Sequence, residues 1–207
     1  MIRTLSVVAA LLVAAPAVTP ALAQPGKPAP STQRFRGTVE SRDGDMLTVR
    51  RRSGSTITVA MDPLTQVFTA TGARLRDIKP ESYLTVIDVP GTGKAQRVTL
   101  FSPSERGFAA GRQPWDTEPG ATLTGGWVTD LSGTEDRRVS LTFKSDQSGD
   151  RTAFEIPKGT PVTQVAPGEK ALLVPGAPVS VFTTSAKDGG LEAGTVIVGR
   201  QGTVPTL

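Results

Sequence analysis

The pentapeptide Pro63 to Val67 recurs as Pro161 to Val165, with identical residues at four of the five positions. Around each copy the same features return in the same order: short runs of alternating apolar and polar residues, separated by turns rich in Gly, Asp and Pro. Such runs predict β-strands. Repetition of element order together with a local string indicates duplication of a supersecondary unit. The alternative is that the string recurs by chance in a β-rich chain.

The first unit reads as consecutive antiparallel strands. Phe35 to Ser41 and Met46 to Arg51 alternate on either side of an Asp43-Gly44 turn, and Thr56 to Met61 follows another turn at Ser53-Gly54. Pro63 is expected to interrupt the next strand. The 22 Gly and 17 Pro residues break the chain often, which favours short strands over long helices. We therefore predict an all-β fold.

The predicted organisation has six segments. They are a signal peptide (1–23), a flexible tether (24–33), a first β-barrel unit (34–101), a connector (102–122), a second β-barrel unit (123–200) and a tail expected to fray (201–207). The connector is too rich in Gly and Pro for a helix or central strand, and we expect it to be ordered and fixed by Trp115. Five or six short strands per unit suit a small OB-like barrel, because closure removes exposed edges. A two-sheet sandwich is the alternative for each unit.

The N-terminus has the features of a secretory signal peptide. Arg3 precedes an apolar run from Leu5 to Ala15, and Ala21-Leu22-Ala23 provides a small-x-small cleavage site. The alternative is a retained membrane anchor, but Pro16 and Pro20 leave the apolar run short of the roughly 20 residues that a spanning helix needs. We expect a mature chain without a transmembrane segment, located in the periplasm or secreted.

The chain contains no Cys and no His. Thiolate and imidazole metal sites, the Ser-His-Asp triad and its Cys-His variants therefore have no residues to form them. The sequence also lacks the Gly-x-Ser-x-Gly and Ser-x-x-Lys patterns of serine acyl enzymes. We predict a non-enzymatic protein with no cofactor and no metal.

Several local strings resemble known families. Arg36 to Glu40, with Asp43 to Val49 and Leu75 to Lys79, resembles an exported bacterial small β-barrel domain of unknown function. The connector string Pro114-Trp115-Asp116 and the stretch 171–176 are similar to a two-unit periplasmic family often mislabelled as a metal ABC transporter permease. A permease needs several membrane-spanning helices, so that label does not suit this chain.

The resemblance to the two-unit family also bears on metal binding. In that family a His commonly follows the connector glycine, whereas here Arg112 follows Gly111. If that His has a metal role in the family, the resemblance implies that this chain has lost it.

Basic residues concentrate in the first unit, where Arg50, Arg51 and Arg52 are consecutive. Alternation along a strand predicts that Arg50 and Arg52 share one face and Arg51 the other. A basic surface attracts polyanions, and export makes an anionic envelope polymer a more suitable partner than nucleic acid. The alternative is a solvated strand surface without a partner.

The predicted function is non-enzymatic binding or scaffolding, with an anionic envelope polymer or an envelope protein complex as partner. The candidate contact residues are Arg50, Arg52, Arg106, Arg112, Trp115 and Asp116. Trp115 has a structural alternative, since a Trp between two units often anchors them. One alternative function is a glycan-active enzyme, which needs two facing carboxyl groups about 5 to 10 Å apart. Its candidate acids are Asp116, Glu118, Asp130 and Glu155. Another is an accessory protein of an envelope transport or redox system.

Overall fold

A computed structural model describes residues 33–207, apart from 90, 135, 144–148 and 187–188. The predicted signal peptide (1–23) and residues 24–32 of the predicted tether lie outside the described residues. The described chain consists of strands joined by turns and three short 3-10 helices, at Leu75–Asp77, Pro103–Glu105 and Lys170–Leu172. The all-β prediction is confirmed.

Twelve strands are formed within the described residues. They are β1 (Gln33–Asp43), β2 (Met46–Arg51), β3 (Thr56–Ala73), β4 (Tyr83–Asp88), β5 (Ala95–Phe101), β6 (Gly111–Pro114), β7 (Thr122–Ser132), β8 (Arg137–Thr142), β9 (Arg151–Ile156), β10 (Val162–Pro167), β11 (Pro178–Ser185) and β12 (Leu191–Gly199). The predicted antiparallel meander of the first three strands is present, since β1 pairs with β2 and β2 with β3.

Five strands close into a barrel. β11 pairs with β1 and β12 pairs with β11, both antiparallel, and β12 runs parallel to β3, which completes the circuit. Alternation along these strands turns one set of apolar side chains inward. That set includes Val39, Leu47, Val49, Ile57, Val59, Met61, Val67, Val179, Val181, Ala193, Val196 and Val198. Leu173, which follows the 3-10 helix Lys170–Leu172, packs into the same cluster. We call β1, β2, β3, β11 and β12 the closed barrel.

A second group of five strands, here called the outer strands, consists of β4, β5, β7, β8 and β9. They pair in the order β5-β4-β7-β8-β9, and the two end strands approach at a parallel bridge between Lys94 and Glu155. The Glu155 backbone N–H donates to the Gly93 carbonyl at 2.8 Å beside this bridge. β10 connects the two groups, since it pairs with β3 on one side and β5 on the other.

Strand pairing does not follow the predicted division into units 34–101 and 123–200. The closed barrel takes β1, β2 and β3 from the first segment and β11 and β12 from the second. The outer strands take β4 and β5 from the first segment and β7, β8 and β9 from the second. The reason lies in β3, an 18-residue strand whose C-terminal part also pairs with β10, so that the next hairpin joins the other group. Two tandem barrels, one per segment, are therefore not confirmed.

Pro63 does not end β3, contrary to the prediction. The register with β12 shifts from Ala193 opposite Met61 to Thr195 opposite Gln66, so residues 62–65 bulge out of the strand. The Asp62 carboxylate accepts the Leu64 backbone N–H at 2.9 Å, which satisfies a donor that the bulge removes from the ladder.

The outer strands have a second apolar cluster of their own, which includes Leu84, Val86, Val98, Val128, Val139, Leu141, Phe154 and Ile156. A third apolar cluster joins the closed barrel to the outer strands. It includes Phe68, Ala70, Tyr83, Ile87, Phe101, Trp115, Ala121, Leu123, Val165, Ile197 and Leu207. Tyr83 also donates its hydroxyl to the Phe108 carbonyl at 2.9 Å, and burial raises its pKa above the ordinary value. The connector therefore packs into the same cluster through Trp115 and Phe108.

The prediction that 201–207 frays is wrong for its last residues. Thr206 and Leu207 are 5% and 1% exposed. The Thr206 hydroxyl lies 2.8 Å from the hydroxyls of both Thr99 and Thr163, which are themselves buried. This three-hydroxyl network fixes the tail between β5 and β10.

Candidate functional site

A cleft of about 500 Å³ lies where the closed barrel meets the connector and the tail. Its lining residues are Arg36, Gly37, Thr38, Arg50, Arg51, Arg52, Arg97, Asp116, Thr117, Val179, Ser180, Val204 and Pro205. Five arginines against one aspartate give this lining a formal charge of +4. We call it the arginine cleft.

Strand register places several lining residues of the arginine cleft side by side. Arg36 on β1 is directly opposite Ser180 on β11, and Thr38 is opposite Arg50 on β2. Between them Gly37 allows the strands to approach, because a Cβ at this position would lie 2.1 Å from the Arg50 carbonyl oxygen. A glycine is therefore required at this point of the β1–β2 hairpin.

Asp116 binds two arginines at one edge of the cleft. Its carboxylate accepts a hydrogen bond from Arg36 at 2.9 Å and lies 3.4 Å from Arg34 Nε. Partial burial acts to raise the pKa of Asp116, but the hydrogen bond from Arg36 and the charges of Arg36 and Arg34 outweigh it and lower the pKa. Asp116 is therefore ionised at neutral pH.

Trp115 lies directly beneath this ion pair. The Arg34 guanidinium carbon is 3.8 Å from the centroid of the indole ring, and that of Arg36 is 5.8 Å away. Trp115 is only 6% exposed and packs against Phe182 in the third apolar cluster. The indole therefore supports the two arginines through cation–π contact while it anchors the connector.

Three arginines of the cleft have no anionic partner among the residues that the structure describes: Arg51, Arg52 and Arg97. Arg51 is held in place by its guanidinium, which lies 4.7 Å from the centroid of the Phe35 ring. Arg50 differs, because it donates to Glu40 at 2.6 Å. Unpaired guanidinium groups close together repel one another and attract anions.

Buried polar atoms without a protein partner surround the same space. They are Ser180 Oγ, Thr117 Oγ1 and Arg51 Nε in the lining, together with Trp115 Nε1 nearby. Ser180 is 3% exposed, so its hydroxyl has little access to bulk water. A buried polar group without a hydrogen-bond partner is unfavourable, and such groups often mark a site where a ligand or ordered water binds.

The structure separates the predicted contact residues into two sets. Arg50, Arg52 and Asp116 line the arginine cleft, and Trp115 supports it. Arg112 is not part of the lining, since it reaches the buried Asp88 carboxylate at 3.4 Å. Thr122 donates to the same carboxylate at 2.6 Å.

Two further details concern the predicted basic residues. Arg106 is exposed after the 3-10 helix Pro103–Glu105 and does not line the cleft. Arg51 lines the same cleft as Arg50 and Arg52. The three residues meet there at the end of β2, which ends at Arg51, so the alternation that the prediction assumed does not extend to Arg52.

Sequence reasoning missed Arg97, Ser180 and Thr117. Arg97 lies on β5 among the outer strands and Ser180 on β11, so only the tertiary fold brings them beside β2. Neither residue belongs to a run of charges or to a motif. A local signal for these two positions does not exist in the sequence.

No group of three or more Asp or Glu residues that could hold a metal ion occurs in the part of the chain that the structure describes. Among the same residues, no helix is long and apolar enough to cross a membrane. No protein-family model, curated protein or solved structure matches the chain.

Proposed function

We propose that this protein is a non-enzymatic binding protein of the periplasm or cell exterior, and that the arginine cleft holds an anionic group of an envelope polymer. The observation that carries the proposal is the convergence of Arg51, Arg52 and Arg97, without anionic partners among the described residues, on a space that also contains the unpartnered Ser180 hydroxyl. Guanidinium groups are donors only and remain charged at any physiological pH. A ligand rich in acceptor oxygens satisfies all of them.

The location rests on the predicted signal peptide at 1–23, which has the charge, apolar run and cleavage site of an exported chain. An anionic surface polymer is the partner that this location and the charge of the cleft favour together. A protein complex of the envelope is the other predicted partner, and no feature of the described residues favours it specifically.

We also infer that the fold arose by duplication of an OB-like unit with exchange of one hairpin between the copies. In the closed barrel β1, β2 and β3 are followed around the circuit by β12 and β11, with β3 and β12 parallel. The outer strands repeat this order: β7, β8 and β9 are followed by β5 and β4, with a parallel bridge between β9 and β5. Small Greek-key barrels of five strands are typical of OB-like folds.

The glycan-active enzyme receives less support. It requires two facing carboxyl groups in a groove. Asp116 is the one acid among the described lining residues, and its lowered pKa makes it a poor proton donor. Asp130 is exposed on β7 and pairs with Arg151 at 3.0 Å. The observations therefore favour binding over catalysis.

The test is an isothermal calorimetric titration of the mature chain with dextran sulfate and with polygalacturonate. It is carried out at low and at moderate salt, and neutral dextran is the control. We expect at least one polyanion to bind, neutral dextran not to bind, and salt to weaken binding. Arg52→Gln with Arg97→Gln should weaken binding about tenfold or more, since each charge-assisted hydrogen bond contributes about 1.5–3 kcal/mol. Arg76→Gln, at an exposed arginine outside the cleft, is the matched control. Equal affinity of the double variant and the control would refute the proposal.

A further inference from the structure

The geometry of the arginine cleft points to a specific class of anion. Resting on the proposed function, we infer that the cleft selects a tetrahedral oxyanion ester on a sugar, that is, a phosphate or sulfate group, over a carboxylate. The two esters share one recognition chemistry, three terminal oxygens that radiate from a central atom. A carboxylate has two oxygens in a single plane.

The donors of the cleft come from different directions. Arg51 and Arg52 lie at the end of β2, Arg97 projects from β5 among the outer strands, and Ser180 lies on β11. A carboxylate offers its acceptor sites in one plane and pairs best with one or two guanidinium forks in that plane. Donors that converge from three separate elements match an anion whose oxygens point in three directions.

The cleft already contains the carboxylate of Asp116. The contacts of this carboxylate show how many arginines a planar anion binds in the cleft. Asp116 contacts Arg36 and Arg34, and Arg51, Arg52 and Arg97 have no contact with it. Two guanidinium groups therefore suffice for this planar group. The remaining three stay available for a second anion with more oxygens.

Unpartnered hydroxyls add neutral donors to the same space. Ser180 Oγ and Thr117 Oγ1 are buried without a partner among the described residues. A hydroxyl donates one hydrogen bond to an anion without adding charge, which suits an oxyanion that must be held by several donors at once. The side chain of Ser180 is fixed on a strand, so its position does not depend on a loop.

The size and the rim of the cleft indicate an ester rather than a free ion. A volume of about 500 Å³ is within the range of small-molecule sites and is much larger than one inorganic anion requires. Val179, Val204 and Pro205 line the same cleft and offer apolar surface. Apolar surface suits the C–H groups of a sugar ring attached to the oxyanion.

Three ligands with the same ring and different anions provide the test. The full mature chain is titrated with glucose 6-phosphate, glucose 6-sulfate and glucuronate at equal ionic strength and neutral pH, with binding followed by calorimetry. We expect at least one ester to bind about tenfold tighter than glucuronate, because it engages additional charge-assisted donors. The phosphate and sulfate arms show which ester is preferred.

A hydroxyl variant tests the geometry directly. Ser180→Ala should weaken binding of the preferred ester several-fold and leave the urea midpoint unchanged or slightly raised, since the hydroxyl has no hydrogen-bond partner among the residues that the structure describes. Thr124→Val is the matched control, because the Thr124 hydroxyl is also buried and unpartnered but lies outside the cleft. It should leave ester affinity unchanged.

Three results overturn the inference, and they differ from failure of the proposed function. Glucuronate binding as tightly as both esters, or no sugar ligand binding while a polyanion still binds, would refute selection of a tetrahedral oxyanion and leave anion binding intact. Loss of binding to every sugar ligand and every polyanion would refute the proposed function itself. Ester affinity unchanged in Ser180→Ala would refute the assigned geometry.

Discussion

The pairing of strands from both segments in the closed barrel predicts that residues 33–101 do not fold as a monomer when they are separated from the rest of the chain. This segment supplies β1, β2 and β3 of the closed barrel but not β11 and β12. Without those two strands the segment lacks the partners that complete both the barrel core and the hydrogen-bonded circuit. The predicted tandem units, in contrast, would allow 34–101 to fold independently.

The magnitude follows from the core of the closed barrel. Besides Ala193, five of its buried aliphatic side chains come from the second segment, and all are at most 2% exposed: Leu173, Val179, Val181, Val196 and Val198. At about 1.5–3 kcal/mol for burying one such side chain, the segment 33–101 loses about 8–15 kcal/mol of core contacts. That loss is comparable with the whole free energy of unfolding of a typical domain, about 5–15 kcal/mol.

The assay compares fragment 33–101, fragment 102–207 and an equimolar mixture of the two by nitrogen–proton correlation NMR and light scattering. We expect the isolated fragments to give poorly dispersed spectra and the mixture to recover the spectrum of the full chain. If the two segments are duplicates, β4 and β5 of a second copy can take the place of β11 and β12, so a folded dimer at high concentration is compatible with exchange. A monomeric fragment 33–101 with a dispersed spectrum and a cooperative urea transition would refute the reasoning.

Three further predictions concern single residues, each measured by urea unfolding. Gly37→Ala should destabilise the fold by about 1–3 kcal/mol, because its Cβ would lie 2.1 Å from the Arg50 carbonyl oxygen and the hairpin must shift. Gly72→Ala, whose nearest contact would be 3.8 Å away, should cost less. Thr206→Val should cost about 1–3 kcal/mol, because it removes the hydroxyl that two buried threonines share. The pKa of Asp116 is below its ordinary value of 3.8 in the folded state, so its stabilisation is present above that value and is lost as pH falls through the lowered pKa. Wild type should therefore lose more stability than Asp116→Asn between pH 6 and pH 2.5.

Local structure was largely predictable from the sequence because alternation and turn residues act over a few positions. The strand Met46 to Arg51 has the predicted bounds. Leu75 and Ile78 stand at helical spacing, which predicts a single helical turn, and the structure has the 3-10 helix Leu75–Asp77 there. Pro63 does not divide β3 into two strands, because a proline is compatible with a long strand where it lies in a bulge.

Partner choice between strands was not predictable in the same way. The hairpins β4–β5 and β11–β12 both have the alternation that is needed to close a barrel. The local sequence of each hairpin does not show which group of three strands it pairs with. The tail presents the same problem. Pro205 and the absence of periodicity indicate a loop, whereas the burial of Leu207 depends on a cavity formed by distant strands.

The candidate site was predictable only as far as charge clusters in the sequence. Arg50 and Arg52 belong to a run of three consecutive arginines, which the sequence shows directly. Asp116 follows Trp115, the residue expected to fix the connector. Arg106 and Arg112 are candidates because they lie in the connector, yet neither lines the cleft. Local charge identifies residues that an anion can contact, but the geometry that selects among them arises from the tertiary fold.

Strand pairing between the two segments links the architecture to the site. Ser180 reaches the arginine cleft because β11, from the second segment, pairs with β1 of the first. Arg97 reaches it from the outer strands, and Asp116 from the connector between the two segments. Two barrels that each closed on their own segment would place β11 and β1 in different bodies, and Ser180 would no longer lie opposite Arg36. The cleft is therefore a product of pairing between the segments rather than of either segment alone, which is why its donors converge from several elements and why no motif in the sequence encodes it.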